Sequence, residues 1–264
     1  MKKIFDKDSV VVVTGASSGM GEEIALACAR QGATVVLIGR NPQHLDYVAR
    51  KIVASGGRPV FSVADVSKRS DLESVASRIA TEHKKIDLLV NAAGVGLLGK
   101  IEDTPEQDAR RIFDVNYFGI LNSVQVFLPL LQKGKNATVV NIASVVGKVG
   151  WPGMGVYAAS KAAVCSLTDA LRIEFKKYGI RIVLVCPGYT KTNFLKNCIQ
   201  INTHKDEKLL GGGMLPFDVA IAILKGVSRG KKEIIIGNVK EKIILTAYHY
   251  CRPVADFLLQ KVAG

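Results

Sequence analysis

Short runs of β-branched and aliphatic residues recur along this chain, each followed by a helical stretch, and that alternation narrows the possible folds more than any other feature. Residues 10–13 are four consecutive valines that end in a glycine-rich turn. A helical stretch over 22–31 follows and stops at Gly32, a common residue just past a helix end. The cycle repeats with runs at 34–38, 59–63, 86–90, 137–142, 180–185 and 233–236, and helices are expected near 42–54 and 68–83. The runs are continuously apolar rather than alternating, as strands are when helices cover both faces of a parallel sheet. Right-handed crossovers then predict an α/β fold with one doubly wound parallel sheet, whose ligand crevice lies at the carboxyl ends of the strands. No repeat and no linker rich in proline, glycine or serine divides the chain, so residues 1–264 read as one domain.

With 264 residues, 48% hydrophobic and 22% charged, the chain can bury a core without disulfides or metals, which excludes disorder and fibrous repeats. Thirty-six basic against 23 acidic side chains leave +13, and the segment from Lys225 onward supplies +5 of it. That charge suits either a solvated surface or an anionic partner such as a phosphorylated cofactor or an acidic membrane. Nucleic acid is not expected: no binding motif is present, and only 6% of residues are aromatic.

Cys28, Cys165, Cys186, Cys198 and Cys251 are widely spaced with no C-x-x-C pair, and the four histidines stand equally far apart. Neither a disulfide framework nor a metal site is expected, and a reducing, cytoplasmic setting fits. Only four apolar residues separate the charged first nine from Thr14, too few for a signal peptide. Residues 115–132 carry no charge over eighteen positions. Asn116, Asn122, Ser123, Gln125 and Pro129 nevertheless argue for a helix in a core or subunit interface rather than a membrane span.

Gly15, Gly19 and Gly21, spaced G-x-x-x-G-x-G, join the first strand to the first helix. Glycine lets backbone approach a pyrophosphate, and a helix N-terminus offers free N–H groups. This junction points to a dinucleotide site of the Rossmann type, formed by Gly15, Ser17, Ser18, Gly19, Met20 and Gly21. The second run ends in Gly39-Arg40, where NAD sites usually carry an acid for the ribose 2′-hydroxyl. A cation in its place suits a 2′-phosphate, so NADP is expected, with NADPH favoured over NADH and Ser17 and Ser18 assisting. Asp65 and Val66 follow the third run and border the adenine, or Asp65 caps the next helix.

Later strands are followed by Asn91-Ala-Ala-Gly94, by Ser144, and by Tyr157 and Lys161, four apart and so on one helix face. With the glycine turn, Asp114-Val-Asn116 and the motif Pro187-Gly-Tyr-Thr-Lys-Thr192, these segments resemble the short-chain dehydrogenase/reductase family in order and spacing, over about residues 8–192. The resemblance implies hydride transfer between a nicotinamide cofactor and a carbonyl or alcohol. Tyr157 would be the general acid, its ordinary pKa of about 10 drawn down by Lys161 and the oxidised nicotinamide ring. Lys161 would also bond the nicotinamide ribose, Ser144 would polarise the carbonyl, and Asn116, in a locally distorted helix, would hold a water that relays protons to Lys161. Asn91, Ala92, Gly94, Pro187 and Gly188 would border the cofactor, and Thr190 and Thr192 would bond its carboxamide.

Substrate choice is expected to lie after Thr192, where residues 193–213 read as a lid with glycine hinges or as a plain loop. Phe194, Leu195 and Ile199 would form one apolar wall, with Trp151, Met154 and Val156 opposite. Residues 240–264 extend beyond the last strand, split by Pro253 into two short helices with basic flanks. These would pack over the substrate cleft or a second subunit, or else rest peripherally on an anionic membrane. The expected protein is an NADPH-dependent carbonyl reductase that converts an apolar ketone to a secondary alcohol, as a homodimer or homotetramer. The alternatives are an alcohol dehydrogenase in the oxidative direction, a 3-oxoacyl or lipid-type ketone reductase, and an inactive nucleotide-sensing module. The last calls for a broken site, yet Ser144, Tyr157 and Lys161 are all present.

Overall fold

The structure, a computed structural model, describes residues 4–202 and 213–263. The valine run becomes β1 (Val10–Thr14), buried along its whole length and paired in parallel with β2 (Thr34–Gly39) and β4 (Leu88–Asn91) on either side. Beyond β2 lies β3 (Arg58–Val63), and beyond β4 lie β6 (Thr138–Ile142), β7 (Arg181–Pro187) and β9 (Glu233–Ile236). The seven-stranded order is β3-β2-β1-β4-β6-β7-β9, parallel throughout. Two short strands, β5 (Leu97–Leu98) and β8 (Ile199–Gln200), form a separate parallel pair above the sheet's carboxyl edge.

Alternate valines of β1 serve opposite cores, which is why the run has no polar alternation. Val11 and Val13 pack with α1 (Gly19–Ala29), α2 (Pro42–Ala54) and α7 (Pro216–Ser228). Val10 and Val12 pack with α3 (Arg69–Glu82), α5 (Gly119–Leu131) and α6 (Gly155–Glu174). Each fully buried valine contributes roughly 1.5–3 kcal/mol relative to exposure, so a charge at either face would be costly.

The strand order reverses between β1 and β4, and their ends, Thr14 and Asn91, pair directly. A crevice opens at such a reversal because the helices on either side lead away in opposite directions. The uncharged residues 115–132 run through most of a π-helical turn, Asp114–Phe118, that follows α4 (Glu106–Phe113), and then through α5. α5 buries Ile120, Val124 and Phe127 in the core. The chain closes with α8 (Val239–Tyr250) and α9 (Arg252–Ala263), separated at Cys251 just before Pro253. Ile244 and Leu259 of this pair pack with Val149 beside Trp151. Within the expected lid, residues 203–212 lie outside the described residues, and β8 ties its first part to β5. Among the described residues no helix is long and apolar enough to cross a membrane.

Candidate active site

Two connected cavities occupy the carboxyl edge of the sheet. The wider, about 490 Å³, runs from Gly39, Arg40 and His44 past the glycine turn to Gly94 and Thr192. Gly15 has φ +67, and a Cβ there would meet the Ala93 backbone at 2.7 Å, so β1's exit and β4's exit touch. Thr14 Oγ1 fixes the same contact by accepting from the Ala93 N–H at 3.2 Å. Ser18, the N-cap of α1, makes no side-chain capping bond, which leaves first-turn N–H groups directed at the cleft as donors for an anion. Gly39 lets Ser17 come close, since a Cβ there would stand 3.3 Å from Ser17 Oγ. Arg40 is exposed at the cleft's end with His44 nearby.

Asp65 and Val66 line the same cleft. Asp65 Oδ1 also accepts from the Ser67 N–H and hydroxyl, bracing the turn before α3, whose N-cap is Lys68. Asn91 behaves differently from the expectation of a cofactor contact. Its side chain turns into the sheet and donates to Asn141 Oδ1 at 2.8 Å, and Asn141 in turn donates to Thr168 Oγ1 at 3.0 Å. This buried chain ties β4 and β6 to α6, so Asn91 shapes the cleft from beneath while Ala92 and Gly94 line it.

The second cavity, about 160 Å³, is lined mostly by apolar groups, with Ser144, Tyr157 and Lys161 at one side. Tyr157, Lys161, Val164, Cys165, Thr168 and Leu171 form the buried stripe of α6, at helical spacing. Ser144 ends the turn after β6, and its hydroxyl donates to the Pro187 carbonyl at 3.3 Å. Lys161 is 4% exposed and its Nζ donates to the Ile142 carbonyl at 2.9 Å. Burial pulls its pKa down to about 8. Burial pushes the Tyr157 phenol above its ordinary value, and the neighbouring Ser144 hydroxyl opposes this only in part. The expected lowering of Tyr157 rests on Lys161 together with the oxidised nicotinamide ring; in the chain alone Nζ stands 5.8 Å from the ring centre, held by Ile142, and desolvation dominates.

Asn116 lies in the π-helical turn, fully buried. Its amide donates to the Val95 carbonyl and Ser160 Oγ, both at 3.0 Å, and its Oδ1 accepts from the Val95 N–H at 2.9 Å. The wider turn directs this side chain at the Gly94-Val95 strand exit, where a Cβ on Gly94 would lie 3.3 Å from Asn116 Oδ1 and 3.5 Å from Lys161 Nζ.

Pro187, Gly188 and Thr190 line the apolar cavity, and Thr192 lines both cavities. Thr192 approaches the glycine turn closely, because a Cβ on Gly19 would be 3.2 Å from its Cγ2. Phe194, Leu195, Trp151 and Met154 all line the apolar cavity and pack in one cluster with Tyr157, the Phe194 and Tyr157 ring centres 5.7 Å apart. Ile199 borders the wider cleft instead, and Val156 lines neither cavity. Sequence reasoning missed His44 and Arg111 in the wide cleft, Tyr189 in the apolar cavity, and Glu241, which reaches that cavity from α8. Asn41-Pro42, a cap followed by an N1 proline, puts His44 in the first turn of α2, and Tyr189 stands inside the Pro187–Thr192 motif; nothing local places Arg111 or Glu241 in a cavity. Among the described residues no group of three or more histidine, cysteine or acidic side chains is arranged to hold a metal.

The family model for short chain dehydrogenases matches residues 9–202. A zebrafish (Danio rerio) protein named dehydrogenase/reductase SDR family member 7B is 34% identical over 241 residues, covering 88% of this chain and 78% of that one. A short-chain dehydrogenase/reductase from Burkholderia phymatum, solved in complex with NAD, superposes with a TM-score of 0.86 at 27% identity, covering 96% of each chain. An alcohol dehydrogenase from the archaeon Thermococcus sibiricus, complexed with 5-hydroxy-NADP, gives 0.78 at 25% identity, covering 86% of this chain and 95% of that one. With a matched family model, a buried Tyr157–Lys161 pair and a glycine turn open to the cleft, this chain belongs to the short-chain dehydrogenase/reductase family of oxidoreductases.

Proposed function

We propose that this oxidoreductase uses NADPH to reduce an apolar ketone to a secondary alcohol, with Tyr157 as the proton donor. The observation that carries the reading is the burial of the Tyr157 phenol beside Ser144 and Lys161, facing an apolar cavity that opens onto the glycine-turn cleft. The residues along that cleft fit a nicotinamide dinucleotide: free helix N–H groups and Ser17 for phosphates, and Arg40 with no acid beside it for a 2′-phosphate. When bound, the cofactor supplies the hydride.

The remaining work falls to the chain. A phenol carries its proton at neutral pH and can give it to a carbonyl oxygen as negative charge develops there, the more readily as a bound cofactor's positive ring offsets the effect of burial. Ser144, on turning its one hydroxyl proton from the Pro187 carbonyl, adds a second donor to the same oxygen. Lys161, with a pKa brought down to about 8, exchanges protons near neutrality and returns one to the tyrosine. Asn116 fixes the Gly94-Val95 backbone against which the reacting end of the cofactor rests. Phe194, Leu195, Trp151 and Met154 keep water from the site and favour an apolar substrate. A subunit contact through α5 and α6 belongs to the same reading, since Phe118 just before α5 and Ile173 on α6 are exposed apolar side chains.

The test is NADPH oxidation against a series of ketones graded by chain length and ring size, with NADH run in parallel. Preference for NADPH and for apolar ketones supports the reading; turnover with neither cofactor overturns it. A second reading, peripheral contact with an anionic membrane, is supported by Val239, Ile243 and Tyr250, exposed on one face of α8 and flanked by Lys242 and Arg252. Cosedimentation with vesicles containing phosphatidylserine, but not with neutral ones, supports it, and no binding to either removes it.

A further inference from the structure

We propose that Glu241 is a positioning residue for the loop after β7, which makes the C-terminal helices part of the reaction centre; its effect on turnover rests on reading that loop as cofactor-facing. Glu241 is the third residue of α8, and its carboxylate takes a backbone N–H from each of two segments. Oε2 accepts from Asn238 at 2.7 Å, while the Glu241 N–H donates to Asn238 Oδ1 at 2.9 Å, a complete capping box. A capping box needs only that oxygen. The other, Oε1, accepts from the Tyr189 N–H at 2.9 Å, 52 residues away.

Gly188 is shaped for this approach. A Cβ there would fall on both carboxylate oxygens, although the residue has no positive φ that would itself require glycine. The same loop is held at two further points: the Gly188 N–H donates to the Ile236 carbonyl at 2.7 Å, and Tyr189 and Lys191 exchange bonds with Met214 at 3.0 and 2.9 Å. One residue before Gly188, Pro187 offers its carbonyl to Ser144. A continuous path of bonds therefore runs from the first turn of α8, through Glu241 and the 187–189 backbone, to Ser144. A charged acceptor makes the Tyr189 bond one of the stronger links in it.

Amide hydrogen exchange in the absence of cofactor separates positioning from simple helix capping. Glu241→Ala should speed exchange at the Tyr189 amide by about tenfold or more, the loss expected for one bond to a charged group. Gly188→Ala should do the same, because it displaces the carboxylate while leaving α8 able to form. Asn238→Ala removes the other half of the capping box and keeps the carboxylate, so α8 amides should exchange faster while Tyr189 stays within about twofold of wild type. Equal acceleration at Tyr189 in Asn238→Ala and Glu241→Ala overturns the proposal, as does no acceleration in Glu241→Ala. NADPH affinity should fall about tenfold in Glu241→Ala and stay within about twofold in Asn238→Ala. A wild-type protein that binds neither NADPH nor NADH overturns the functional reading, and the exchange data still decide whether Glu241 holds the loop.

Discussion

Lys161 holds its ammonium 5.8 Å from the centre of the Tyr157 ring and bonds the Ile142 carbonyl at 2.9 Å. Burial acts on both side chains, raising the pKa of the phenol and lowering that of the amine. Near pH 7 both carry their protons, the starting state that the proposed reduction calls for.

Removing the phenol hydroxyl tests the acid directly. Tyr157→Phe keeps the ring that packs against Phe194, so folding should be little changed. Ketone reduction should fall by roughly 10²–10⁴-fold, the usual contribution of a positioned general acid. Steady-state turnover alongside a thermal melt checks this, and undiminished turnover in a folded variant removes Tyr157 from the chemistry.

Lys161 should be costly to the fold. A lysine whose pKa drops from 10.5 to about 8 on folding is penalised by roughly 3 kcal/mol while charged. Lys161→Met relieves that penalty but leaves the Ile142 carbonyl without its donor, at about 1 kcal/mol. The variant should be inactive and more stable by roughly 2 kcal/mol at pH 7. Between pH 8 and 10.5 the folded wild type binds fewer protons than the unfolded chain, so its stability from this group rises with pH and the gap should narrow. Denaturant unfolding at pH 7 and 9.5 measures both; a gap that widens at the higher pH contradicts the assignment.

Arg40 is exposed and borders only the cleft, so its loss should spare stability. Arg40→Ala should weaken NADPH binding about tenfold or more and leave NADH within about twofold. Calorimetric titration of both cofactors decides it, and equal losses for the two would mean that Arg40 does not read the 2′-phosphate.

Asn116 should matter to both fold and site. Asn116→Ala orphans the N–H and carbonyl of Val95 and frees Ser160 Oγ, so about 2–4 kcal/mol of stability should be lost. Turnover should fall with it, because the Gly94-Val95 exit loses its clamp. A denaturant midpoint equal to wild type would show that these bonds are replaced by water.

Much of this architecture was written locally. Continuous valine runs, a glycine turn opening a helix, and Tyr157 one helical turn before Lys161 each follow from spacings of a few residues. What escaped depends on pairings between distant segments. Asn91 looks like a cleft residue until Asn141, fifty positions later, draws its side chain into the sheet. Glu241 closes the capping box of α8 within four residues, and only the fold brings it to Tyr189. The phenol's raised pKa also had no sequence sign, because desolvation depends on what covers the ring rather than on its neighbours in the chain.

The surplus residue in the 114–118 turn has a consequence for how this region can change. Deleting one position there would let α4 run straight into α5 with the downstream faces kept in phase, because the wider turn is what takes up the extra residue. Val124 and Phe127 would keep their places in the core while Asn116 lost its aim at Val95. Straightening this helix and keeping the strand exit clamped are thus mutually exclusive, and a single-codon loss here should leave a folded chain whose strand exit is unclamped.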